Sequence, residues 1–373
     1  MIALSWEQVN AWRLSQHHLH ELADRQQFRE VVSNIGGLHA QMMSAAELQL
    51  WARVHDLPPD AVQNALWHER TLIKSWIFRG TLHLVTASDF PLFVAALSRL
   101  GAFYRRPSWL KYNGVTLAEL EALVEGVRTT LGNVGMSREE LANALATSVG
   151  NPKVRDRLLS GWGVLLKPAA IQGYLCFGPS EGQNVMFVQP EKWLGTWSPV
   201  EPDTALAEVA HRYINAYGPA TIDDFAHWLG IDPSKAKRIF KSLADEIVEV
   251  DVEGWQAWAL TTSISQIEAL KPSRTVRLLP NFDPYTLALS RHCQYVLSAE
   301  FKGRVYRPQG WISPVVLVDG RMSGVWEYEK KRSQVAVKID MFASPTGEVK
   351  SSIKAEAERL GAFFDAKVRL SFA

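Results

Sequence analysis

Apolar residues along the first part of the chain recur at helical spacing, then switch several times to every second position. Ser5 and Gln8 have the spacing of a capping box, and Val9, Trp12 and Leu19 follow on one helical face. A second helix, about Asp24 to Asn34, stops at Gly36-Gly37. A third carries Leu48, Leu50 and Trp51 and is broken at Pro58-Pro59. A fourth runs through Val62, Leu66 and Trp67. From Leu72 to Val85 the period is two, around Arg79-Gly80, which predicts a strand, a turn and a strand. Several helices closed by a hairpin are the outline of a winged helix.

The pattern then recurs. Helical stretches include Leu117 to Leu131 and Ser137 to Ala146, the latter opened by a second capping box, Ser137 with Glu140. Gly173–Gly178 and Val185–Val188 flank Pro179-Ser180-Glu181-Gly182 as a second wing. Helices over Thr204–Tyr217 and Thr221–Leu229, and one capped by Asp232, lead to a third: Ile247–Val252, Glu253-Gly254, Trp255–Trp258. A linker, Ser198-Pro199-Val200-Glu201-Pro202, separates the second and third blocks. Beyond 271 the chain is strand-rich, with Val276–Pro280, Val315–Val318, Met322–Tyr328 and Val335–Ile339. Asp319-Gly320 is a type I′ turn signal. An amphipathic helix, about Glu348 to Phe363, precedes a last strand, Val368–Leu370. This end predicts a small β-barrel or curved sheet. The expected modules are 1–100, 101–197, 198–270 and 271–373.

Composition narrows the classes. A chain of 373 residues exceeds one typical core. Its formal net charge of +1 excludes a strongly basic chromatin-type protein but not a local basic face. Cys176 and Cys293 are far apart and lack metal spacing, so a reduced cytoplasmic setting is the simplest reading. The first residues lack a basic region followed by an apolar run, so no secretion signal is expected, and no apolar run approaches ~18 residues, so no membrane span is expected. His17 and Glu21 lie one helical turn apart, the spacing of a metal pair. No third ligand is near, so a solvated helix end is expected and no metal.

Chemistry concentrates at Gly36-Gly37-Leu38-His39-Ala40-Gln41. Two polar side chains, one residue apart at a junction of elements, share a side if the backbone is extended. His39 and Gln41 can then hold a water, or they can serve as cap and core residues.

The runs Gly37–Gln41, Leu50–Arg53, Trp76–His83, Leu166–Ala170 with Gly173–Pro179, Gly218–Thr221, Leu278–Asp283 and Pro314–Gly324 with Trp326 together resemble the AlkZ/YcaQ-like winged-helix DNA glycosylases. The resemblance spans essentially the whole chain. It implies an α+β, C-shaped protein of three tandem winged-helix modules plus a C-terminal β-barrel, with double-stranded DNA along the concave face. It also implies a monofunctional glycosylase for bulky N7- or N3-alkylated purines, including interstrand crosslinks, in DNA repair or self-resistance. Neither a cofactor nor a Schiff-base lysine is called for. A three-module clamp needs no second subunit to enclose DNA, so a monomer is expected. The family's Gln–aliphatic–Gln motif, or Gln–aliphatic–Asp in another branch, falls by position on His39-Ala40-Gln41, with His in place of the first Gln.

An alkylated purine is cationic, so its glycosidic bond is already weakened, and the task is to place water at C1′ of an oxocarbenium-like sugar. Gln41 can orient that water. His39 can also take its proton, since an unperturbed imidazole titrates near ~6.5. Asp283 is a second candidate, for the cationic sugar, against a turn cap in Asn281-Phe282-Asp283-Pro284. Glu47, one turn beyond the motif, is a third. Phosphate contacts are expected from Lys74 and Arg79 in the first hairpin, Arg105 and Arg106 after the next helix, and Lys167 before the second wing. Tyr174 is a wedge candidate or a core residue. The competing readings are a non-catalytic winged-helix regulator bound to DNA and a protein-interaction scaffold.

Overall fold

The computed structural model describes residues 2–100, 103–149, 151–159, 163–271, 274–288 and 293–373. The expected module boundaries near 101 and 271 adjoin residues 101–102 and 272–273, outside the described residues. The chain divides into two compact units, one of residues 1–61 with 210–373, the other of residues 62–209.

In the first unit a short strand, β1 (Ile2–Leu4), runs into helix α1 (Trp6–Gln16). Ser5 caps α1 in both directions: its Oγ accepts from Gln8 N–H at 3.2 Å, and its own N–H donates to Gln8 Oε1 at 2.9 Å. β1 pairs in parallel with Ile247–Val252, which turns at Glu253-Gly254 into Trp255–Leu260. Both turn residues have positive φ, 52° and 91°, the geometry that a two-residue hairpin requires. Trp6, Val9 and Trp12 of α1 pack with Val250, Val252 and Ile267 into one core. The N-terminal strand is thus a third strand of a wing contributed by distant sequence.

Helix α2 (Phe28–Asn34) ends at Gly36-Gly37, with φ of 71° and 105°. Gly37 N–H reaches back to Val32 O at 2.8 Å, a glycine helix stop. The reversal feeds Leu38–His39, which is extended, and then helix α3 (Met43–Trp51).

The C-terminal strands correct the expected barrel. Val276–Leu279, Val315–Val318, Arg321–Lys331, Gln334–Met341 and Lys367–Phe372 form one five-stranded sheet in that order, open at both ends. The first and last strands each have one neighbour and do not meet. The last pairs in parallel with Gln334–Met341, and a parallel neighbour needs a crossover. The crossover is the helix Gly347–Phe363, which packs against three of the strands and covers the face that closure would turn inward. Burial along Gln334–Met341 alternates, with Val335, Val337 and Ile339 inside, as in a sheet with one covered face.

The second unit holds two antiparallel hairpins, Leu72–Trp76 with Leu82–Thr86 and Cys176–Glu181 with Asn184–Val188. Trp76, Phe177 and Phe187 meet in its core with Leu123, Leu141 and Leu158 of the surrounding helices. Ser137 and Glu140 form the expected cap, at 2.7 Å and 3.2 Å. Among the described residues no helix is long and apolar enough to cross a membrane.

The crossover helix lies close on its strand at Gly361. A Cβ there would come within 2.3 Å of Val368 Cγ2 and 2.8 Å of Ala366 O. Gly361→Ala should therefore cost about 1–3 kcal/mol through overpacking. Thermal unfolding reads this as a lowered melting temperature; an unchanged one would show that the helix lifts off the strand freely.

Candidate active site

His39 is extended and buried, with 6% of its surface exposed. Its main chain is held by a side chain: His39 N–H donates to Gln49 Oε1, and Gln49 Nε2 donates to His39 O, both at 3.0 Å. The Gln49 amide thus behaves as a strand neighbour for one residue. Gln49 lies in the last turn of α3 and is fully buried. Its Nε2 also lies 3.4 Å from the carbonyls of Asn281 and Phe282.

One helical turn further on, Arg53 meets the same segment. Its Nη1 donates to Gln49 O at 2.8 Å and to Asp283 Oδ2 at 2.7 Å, while Nη2 donates to Asp283 Oδ1 at 2.7 Å. Both side chains of this bidentate pair have no exposed surface. Asp283 Oδ1 also accepts the N–H of Tyr285 at 2.9 Å, the turn cap expected before Pro284. Asp283 is therefore committed to Arg53 and to the turn.

The turn so fixed presents Phe282, whose φ is 57°. Its ring stacks on the His39 imidazole, with centroids 5.0 Å apart and planes at 26°. Such pairs contribute about 0.5–1.5 kcal/mol beyond their burial. Trp311 meets the other ring edge-on at 5.2 Å and is 41% exposed. Beside this stack lies a cavity of about 640 Å³, lined among others by Asn281, Arg304, Arg307, Trp311, Trp326 and Lys338. Gln41, by contrast, is exposed on the bend before α3. The predicted pair is thus split between a buried imidazole and an exposed amide two residues on. Glu47 is half-buried, and its charge faces Tyr328, adding to the burial that raises that phenol.

His17 departs from the expected solvated helix end. It is 1% exposed, edge-on to Tyr217 at 4.7 Å and to Tyr285 at 5.2 Å. Two rings from far along the chain cover it. Among the described residues no group of three or more His, Cys, Asp or Glu is placed to hold a metal.

The second unit carries the basic candidates. Lys74 lies over the Phe177 ring at 5.3 Å, and burial lowers its pKa. Arg79 sits in the turn Phe78–Gly80 with φ of 55°. A Cβ on Gly80 would lie 3.5 Å from Lys167 Cδ and 4.0 Å from Phe103 Cζ, so Lys167 and Phe103 both reach this turn. Burial lowers the Lys167 pKa. Arg105 and Arg106 follow Phe103 on the exposed surface, and Arg105 pairs with Glu121 at 3.3 Å. Tyr174 packs on the core of this unit.

Gln49, Arg53, Phe282 and Trp311 had no part in the site inferred from sequence. Gln49 and Arg53 did leave a signal: two polar residues four apart beside an apolar stripe, which puts both on one helix face. Nothing local marks Phe282.

The buried His39 imidazole, its main chain bonded to the Gln49 amide, and the exposed Gln41 are thus the polar groups of this stretch. The chain matches the family described as DNA glycosylase AlkZ-like over residues 32–363. It belongs to that family. It is 38% identical over 328 residues to a Streptomyces sahachiroi protein named interstrand DNA cross-link repair glycosylase, covering 87% of this chain and 88% of that one. The solved structure of Streptomyces sahachiroi DNA glycosylase AlkZ is similar, with a TM-score of 0.89 and 34% identity, over 99% of this chain and all of that one.

The burial of His17 has a consequence for stability. Burial first, then the charges of Arg53, His18 and Arg13, hold its pKa well below the ordinary value. Between about 6.5, where the unfolded chain titrates, and the lower folded value, only the unfolded state takes the proton. Stability should therefore fall as pH drops below about 6.5, by at most about 1.4 kcal/mol per pH unit for this group. His17→Phe should flatten that slope in denaturant titrations at successive pH values, leaving the part due to His18, which burial also lowers. An unchanged slope would remove His17 as its source.

Proposed function

We propose that this chain is a monofunctional DNA glycosylase that hydrolyses the N-glycosidic bond of bulky N7- or N3-alkylated purines, with His39 and Gln41 at its reacting centre. The observation that carries the reading is His39 itself: a buried imidazole fixed at main chain and ring, in a chain whose relative is named an interstrand cross-link repair glycosylase. Unhooking of interstrand crosslinks by this chain is part of the proposal.

The chemistry follows from the substrate. The cationic purine leaves with the bonding pair of its glycosidic bond and departs neutral. The sugar becomes oxocarbenium-like, and water adds at C1′. Gln41, exposed on its bend, orients that water through its amide. His39 accepts the proton that the water gives up as the new C1′–O bond forms. The products are the free base and an abasic site.

Phosphate contacts are assigned to Arg79, Lys167, Arg105 and Arg106: Lys167 and Phe103 both reach Gly80, which follows Arg79, and Arg105 and Arg106 come soon after Phe103 in the chain.

His39→Ala should lower single-turnover excision of N7-methylguanine from a duplex by roughly 10²–10⁴-fold, the usual contribution of a positioned base. Gln41→Ala should lower it as well. Wild-type rates in both variants, with sequence-selective binding and no base release, would instead describe a winged-helix regulator. Arg79→Gln and Lys167→Gln should each weaken binding to all duplexes alike and reduce the slope of log affinity against log salt by about 1. A slope that stays at the wild-type value would remove these two residues from the DNA contact.

A further inference from the structure

We propose that Phe282 is a positioning residue for His39: its ring, presented by a turn locked to α3, sets the plane in which the imidazole meets water. The inference rests on the proposed role of His39 and adds to it a residue that acts through the imidazole it stacks on.

The argument starts from what an imidazole base needs. Its accepting lone pair lies in the ring plane, so rotation about the side-chain bonds moves the accepting direction away from the water. Main-chain bonds from Gln49 fix where the side chain begins but do not themselves set the plane of the ring. The Phe282 ring restrains that rotation, at 5.0 Å and 26°. Phe282 can do this only if its own turn does not move. Its φ of 57° is a conformation that L residues enter rarely. The turn is held there from both sides: Asp283, the next residue, is locked to Arg53, and the carbonyls of Asn281 and Phe282 face Gln49 Nε2. The same Gln49 amide therefore holds the base and the turn that orients it. Trp311 closes the far edge of the Phe282 ring. Phe282 is only half-buried, so core packing alone does not account for this framework.

The test uses the full chain and a duplex bearing N7-methylguanine, with single-turnover rate and DNA affinity measured separately. Phe282→Leu should lower the rate between about 10- and 100-fold, the scale of a small misplacement of a reacting group. DNA affinity should stay within about twofold, a split that separates positioning from binding. Phe282→Tyr, which keeps the ring, should restore the rate. Phe282→Met, flexible and of similar bulk, should behave as Leu does and serves as the second variant if Leu unfolds the turn. In a His39→Ala background Phe282→Leu should cost nothing more, since two residues acting as a unit are non-additive. Loss of activity in His39→Ala with full activity in Phe282→Leu overturns the positioning role alone. A fall in affinity equal to the fall in rate makes Phe282 a DNA contact and likewise overturns it. Full activity in His39→Ala removes the functional reading and this inference together.

Discussion

The candidate site hangs on the ion pair between Arg53 and Asp283, two fully buried side chains 230 residues apart in the chain. Burying two charges is expensive, and a single Coulombic contact rarely repays it. Here the geometry is bidentate, and each partner has further hydrogen bonds. Arg53 reaches the Gln49 carbonyl, and Asp283 takes the Tyr285 N–H. Removing either partner would strand the other, at a cost of roughly 3–5 kcal/mol. The pair is a poor choice for stability alone, since packed apolar residues of similar volume often do as well. What it provides is a fixed register between the end of α3 and the turn at 281–285, which an apolar contact would not specify so narrowly. Tyr285 extends the same register: its phenol donates to Gly320 O at 3.1 Å, and its ring meets His17.

Gln49 carries that register to His39. A glutamine amide carries a donor and an acceptor at one end of a flexible chain, and full burial requires both to be used. In this position they satisfy the N–H and C=O of His39, with the carbonyls of the 281–282 turn nearby. The result is a main chain fixed at His39 without belonging to a long strand. Gln41, two residues on, is exposed where Ala40 and His39 are buried, so one short stretch of backbone serves the interior and the surface at once.

Much of the fold was legible because its signals are local. Period-two alternation and the pairs Glu253-Gly254 and Asp319-Gly320 announce hairpins within a dozen residues, and both pairs take the positive φ that such turns demand. The capping boxes at Ser5 and Ser137 are equally local. The misreadings are long-range. Alternation in Gln334–Met341 is the same whether the inner face lines a barrel or meets a helix, and only the packing of Gly347–Phe363 decides between them. Three residues at the N-terminus cannot announce that they pair with a strand starting at Ile247. His17 reads as a helix end until Tyr217 and Tyr285 close over it. Of the candidate site, the sequence marks His39 and Gln41 as polar residues at a junction of elements. The turn that frames them was not, because Asp283 before Pro284 fits an ordinary cap equally well, and it does act as one.

On the proposed reading, histidine at the first position of the motif gives this framework a chemical reason. A glutamine there could only orient water, and its amide offers a carbonyl whose lone pairs span a broad arc. An imidazole adds proton acceptance, but through a single direction in its own plane. Changing amide to imidazole therefore raises the demand for orientation along with the chemical reach. A ring stacked against it, on a turn tied to the helix that also holds its backbone, meets that demand at small energetic cost. The burial that fixes the ring also keeps it from bulk water, so the exposed amide of Gln41 is the natural place for water to arrive. On the proposed reading the two residues are unequal partners: one receives and aligns, the other, held in place, takes the proton.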